Sequence, residues 1–85
     1  MLVKEKLERF AYLLELGGYL DWSEKIGDLA KRYEYEPEYV RRTLLNLYGG
    51  MGSLNDLLIY RNGQILITET EEFGQLRVDI FNVIS

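Results

Sequence analysis

Hydrophobic positions along this chain repeat at two different periods, and the change of period falls at a cluster of glycines. From Leu2 onward, Val3, Leu7, Phe10 and Leu14 share one helical face, while Lys4, Glu5, Glu8, Arg9 and Glu15 occupy the rest. This spacing predicts a first helix that stops at Gly17-Gly18. Asp21 followed three residues later by Glu24 resembles a capping box and predicts a second helix bearing Trp22, Ile26, Leu29, Ala30 and Tyr33. The single proline, Pro37, is placed as the first residue of a third helix, where its missing N–H costs nothing. Val40, Leu44 and Leu47 form that helix's apolar stripe, with Tyr48 at its end.

The helical period ends at Gly49-Gly50-Met51-Gly52-Ser53-Leu54-Asn55-Asp56. Beyond it, Leu57 to Tyr60 and Ile65 to Thr68 flank Arg61-Asn62-Gly63-Gln64, and Asn-Gly between two apolar runs predicts a β-hairpin. A two-residue turn at Asn62-Gly63 pairs Tyr60 with Ile65 and Leu58 with Ile67 on one face, and Ile59 with Leu66 on the other. Both faces are apolar; helices cover one, and the other needs the last segment, another subunit or a partner protein. The last segment fits a helix from Glu71 carrying Phe73, Leu76, Ile80, Val83 and Ile84, with Thr68 or Thr70 as cap. It also fits a strand in which Leu76, Val78 and Ile80 alternate with Arg77 and Asp79; the acidic start favours the helix. The expected fold is therefore α+β in one domain spanning 1–85. It has three N-terminal helices, a hairpin at about 57–60 and 65–68, and a C-terminal helix, with a third strand and a winged-helix outline as the alternative.

Composition narrows the chemistry. An apolar share of 47%, with 13% aromatic, exceeds what a disordered chain carries, and 85 residues allow one modest core. Cysteine and histidine are both absent, which removes disulfides, thiol nucleophiles, the common zinc sites and the usual base at neutral pH. No metal, no cofactor and no enzymatic activity are expected. Met1 to Arg9 alternates charged and apolar residues, unlike a signal peptide, and no segment approaches membrane-spanning length, so a cytoplasmic protein is expected. The formal charge of −4 opposes nucleic acid and anionic lipid over most of the surface.

Four groups of residues invite a functional reading. The glycine segment resembles a phosphate loop in composition, but a helix precedes it, a strand follows it, no lysine accompanies it and Asp56 repels phosphate. A joint between the helical half and the hairpin suits it better, with Gly50, Met51, Ser53, Asn55 and Asp56 as a candidate contact surface. Ile26 to Leu44 resembles a helix-turn-helix in which Arg41 and Arg42 face phosphates, yet Glu34, Glu36 and Glu38 occupy the turn and the start of the would-be recognition helix. Those glutamates, with Tyr35 and Tyr39, compose an acidic and aromatic patch suited to a basic protein surface. Glu69, Glu71 and Glu72 are close in sequence but have no nucleophile motif beside them, so catalysis is not expected there.

These features resemble a family of small uncharacterised bacterial proteins. The resemblance rests on the leucine-rich first helix, Trp22 opening the second, and YGGMGSLNDLLIY from Tyr48 to Tyr60, most specifically Tyr48 to Asp56. The chain departs from that pattern in its charged Glu34 to Glu38 connection and its β-branched tail. The resemblance implies helices, a hairpin and a final helix, and it points toward immunity or inhibitor proteins of bacterial conflict systems. The expected function is thus a small acidic protein-binding domain that occludes a basic surface, such as that of a nuclease; a winged-helix regulator is the alternative. Self-association through the exposed hairpin face is a third expectation, and neither nucleic acid nor a membrane is expected as partner.

Overall fold

A computed structural model describes residues 2–50 and 57–85, and side chains for all of these except Gly49 and Gly50. The elements follow in the order α1 (Val3–Leu16), α2 (Leu20–Arg32), α3 (Pro37–Gly50), β1 (Tyr60–Arg61), β2 (Gln64–Ile65) and α4 (Ile67–Ile84). The predicted α+β arrangement of three helices, hairpin and final helix is the one observed.

Helix α1 ends as its glycines predict. Gly18 adopts φ +85°, Tyr19 N–H donates to Leu14 C=O at 2.9 Å and Gly18 N–H to Glu15 C=O at 3.0 Å, the paired bonds of a Schellman stop. The chain then enters α2 directly at Leu20, so Asp21 lies inside the first turn, and no side chain caps the helix. The predicted capping box is not formed; Asp21 acts there only as a negative charge near the helix's positive end.

Leu7, Phe10, Leu13 and Leu14 are fully buried and place α1 at the centre of the core, packed chiefly on α2 and then on α4. Ile26, Leu29 and Ala30 of α2, Val40, Leu44 and Tyr48 of α3, Ile59, and Phe73, Leu76, Ile80 and Ile84 of α4 complete it. The Phe10 and Phe73 rings stack with centroids 4.5 Å apart and planes 6° from parallel. Arg9 of α1 forks onto the Glu72 carboxylate at 2.7 and 2.9 Å. The Tyr48 hydroxyl donates to the Arg77 carbonyl at 3.1 Å, tying α3 to α4.

The hairpin has the predicted register, Tyr60 opposite Ile65 and Arg61 opposite Gln64. Positive φ at Asn62 (54°) and Gly63 (79°) matches a type I′ turn. Its strands are shorter than the predicted 57–60 and 65–68. Leu66 N–H still reaches Ile59 C=O at 2.8 Å, but the Ile59 N–H goes to the Thr70 hydroxyl at 3.1 Å, so the first turn of α4 takes the place of further ladder. Helix α4 accordingly begins at Ile67 rather than Glu71, without a side-chain cap from Thr68 or Thr70. The alternative third strand is overturned, because residues 67–84 are helical throughout. Val83, expected in the core, is 50% exposed.

Candidate functional site

The connection from α2 to α3 is short because its backbone closes on one acceptor. Tyr35 N–H and Glu36 N–H both donate to Arg32 C=O, at 3.0 and 2.8 Å, and Val40 N–H then donates to Glu36 C=O at 3.0 Å. Glu36 thus directly precedes Pro37, whose fixed φ suits the first helical position. This geometry leaves Tyr35 82% exposed at the apex, with Glu34, Glu36, Glu38 and Tyr39 also on the surface. All five residues of the predicted acidic and aromatic patch are brought together.

Their charges are not free, however. Glu34 accepts from Lys4 Nζ at 3.1 Å, across to the start of α1. Arg32 lies between Asp28 at 3.2 Å and Glu36 at 3.7 Å, with its guanidinium 5.4 Å from the Tyr39 ring centroid. Arg41 approaches Glu38 at 3.9 Å. Each glutamate of the turn therefore faces a cation of its own chain, and the patch is a lattice of mixed charge rather than a purely acidic field. The hydrogen bond and charge of Glu34 hold the Lys4 ammonium above its ordinary pKa of 10.5. Exposed pairs of this kind are weak, so a strongly basic partner displaces them at little cost.

Beside the turn, an open groove of about 820 Å³ between α2 and α3 is lined by Asp21, Glu24, Asp28, Tyr39, Thr43 and Leu47. Lys25 and Lys31 also border it. Tyr39 belongs to both the turn and the groove, which makes them one continuous surface. The sequence reading missed this groove. Its signal was the i, i+3, i+7 placement of Asp21, Glu24 and Asp28 on one helix, opposite Tyr39, Thr43 and Leu47 on the next.

Arg41 and Arg42 are exposed on α3, one turn beyond Glu38. Gly50 closes α3, and Met51, Ser53, Asn55 and Asp56 lie outside the described residues. Glu72 is committed to Arg9, whose hydrogen bonds hold its carboxyl below the usual 4.5. Among the described residues, no cluster of acidic side chains has the arrangement of a metal site, and no helix is long and apolar enough to cross a membrane.

Among protein families, a model described as a domain of unknown function (DUF6966) matches residues 7–67, from the middle of α1 to the first residue of α4. No curated protein and no solved structure matches the chain.

Proposed function

The chain belongs to the DUF6966 family, and we propose that it is a non-enzymatic, acidic protein-binding domain of the inhibitor or immunity type that occludes a basic surface of its partner. The observation that carries this reading is the continuity of the Glu34–Tyr39 turn with the α2–α3 groove through Tyr39. The aromatic residues provide contact area at low entropic cost, and the carboxylates provide attraction once their own weak cation contacts are exchanged for the partner's. Asp21 and Glu24 add carboxylates beyond the turn, beside Lys25 and Lys31. Gly50, Met51, Ser53, Asn55 and Asp56 form a second contact surface in this proposal, on sequence grounds alone.

The test is capture of the partner from the native host with the tagged protein, followed by titration of that partner with wild type and with Glu36→Lys/Glu38→Lys. The double reversal should weaken binding at least tenfold, about 1.4 kcal/mol, and flatten its salt dependence. Unchanged affinity would remove the turn from consideration. The alternative, a winged-helix regulator, is favoured by the exposure of Arg41 and Arg42 on α3. Salt-sensitive shifting of random duplex DNA at low ionic strength would support it over the inhibitor reading.

A further inference from the structure

Resting on the inhibitor-type reading above, we propose that Tyr35 is the anchor of the partner-binding surface: its ring enters an apolar pocket of the partner protein whose rim carries lysine or arginine side chains. Tyr35 is 82% exposed, more than any other large apolar or aromatic side chain among the described residues. It stands at the apex of the α2–α3 turn, between Glu34 and Glu36.

Other tyrosines lean on their own chain. The Arg9 guanidinium lies 5.0 Å from the ring centroid of Tyr12, and that of Arg32 lies 5.4 Å from the ring centroid of Tyr39. The Tyr19 and Tyr48 hydroxyls donate to the Leu58 and Arg77 carbonyls at 2.8 and 3.1 Å. Among the described residues, the Tyr35 ring has no such cation over it and its hydroxyl has no such acceptor. Its apolar area is therefore left for another molecule to bury.

Exposure of a single ring is ordinary; what distinguishes this one is its support. Tyr35 N–H and Glu36 N–H both donate to Arg32 C=O, Val40 N–H donates to Glu36 C=O, and Pro37 fixes the next φ. The neighbours on both sides are tied by their side chains as well, Glu34 to Lys4 at 3.1 Å and Glu36 to Arg32 at 3.7 Å. Only the Tyr35 side chain is left to be ordered when a partner binds, and tyrosine has few torsions to fix. An aromatic ring on a backbone already ordered, encircled by polar groups that keep water out, is the make-up of an interface hot spot.

The charges beside the ring specify the rim. Glu34, Glu36 and Glu38 lie close to Tyr35 along the chain, and a carboxylate accepts up to about four hydrogen bonds. Each of these glutamates has one cation of its own chain, and Arg32 is already shared with Asp28. Glu38 is the least engaged, with its side chain 80% exposed and 3.9 Å from Arg41. Cations on the partner therefore add to these contacts. Carboxylates there would compete for Lys4, Arg32 and Arg41 and leave the turn's own glutamates unpaired as water is excluded.

A photoreactive ring at the apex tests the anchor. Tyr35→p-benzoylphenylalanine, expressed in the native host and irradiated, should give one predominant adduct, cross-linked within an apolar pocket bordered by lysine or arginine. The protein so identified is then titrated with wild type, Tyr35→Phe, Tyr35→Ala and Glu36→Lys/Glu38→Lys. Tyr35→Ala should raise the dissociation constant by a factor of roughly 30 or more, equivalent to about 2 kcal/mol, without lowering the thermal midpoint, and Tyr35→Phe should stay within roughly threefold of wild type. No adduct, or an adduct on an acidic surface, would overturn the proposal. A loss below roughly fivefold in Tyr35→Ala, alongside clear weakening by the charge reversal, would overturn the anchor and leave the inhibitor-type reading standing. If neither variant weakens the complex, both fall.

Discussion

Replacing Phe73 by alanine removes the contact that holds the C-terminal helix to the centre of the core. Phe10 is fully buried and Phe73 is 2% exposed, so both rings are shielded from water. Their centroid separation of 4.5 Å, with planes roughly 3.5 Å apart, means a lateral offset of roughly 2.8 Å. That is the offset stack that ring quadrupoles favour, worth about 0.5–1.5 kcal/mol beyond area burial. Truncating a buried Phe to Ala costs about 3–5 kcal/mol in transfer and cavity terms together. An 85-residue domain has roughly 4–13 kcal/mol in total, so Phe73→Ala takes from about a quarter to all of its stability. Urea unfolding, followed at once by far-ultraviolet circular dichroism and Trp22 fluorescence, reads the cost. Trp22 is on α2, away from α4, and α1 is buried against both helices. Both signals should therefore move together to a lower midpoint. A cost below about 1.5 kcal/mol, far short of the range for buried aromatics, would refute the docking of α4 on Phe10. A circular-dichroism transition that precedes the fluorescence transition would refute the cooperativity argued from α1.

Two further outcomes follow from the turn and from the titrating contacts. Gly63→Ala should destabilise the protein by about 1–2 kcal/mol in thermal unfolding, entirely through its φ of +79°, since a Cβ there meets nothing; Asn62→Gly should cost much less. Stability should fall on both pH limbs. Burial raises the Tyr48 phenol above its ordinary 10.0, so the contribution of the neutral ring is complete below that value and is lost as pH rises toward the folded pKa. Arg9 lowers the Glu72 pKa, so that contribution is present above 4.5 and is lost as pH falls through the depressed value. Denaturant midpoints across pH should show Tyr48→Phe flattening the alkaline limb and Glu72→Gln the acid limb, and parallel curves for wild type and variants would contradict these assignments.

Much of the fold was legible because its signals are local. Gly18, Pro37 and Asn62-Gly63 each impose a backbone conformation on their immediate neighbours, and the helix boundaries and hairpin register appear where these residues place them. The structure departs from the local signal where a distant group competes for a local one. Thr70 fits a helix cap by its position in the sequence, but its hydroxyl serves Ile59, 11 residues earlier, and the helix starts before it. Asp21 fits a cap by its spacing to Glu24, while the Schellman stop after α1 delivers the chain into α2 before Asp21 is reached.

By itself the sequence determined the periods of the helices, the reversals at Gly18 and at Asn62-Gly63, and most of the core, since these are properties of neighbouring residues. Only the tertiary structure decided what the charges do. Glu34 finds Lys4, 30 residues away, and Glu72 finds Arg9 across 63 residues, so a run that looks acidic along the chain is neutralised in space. The open groove between α2 and α3 belongs to the same class. It depends on where whole helices are held by the core, and no window of local sequence contains that distance.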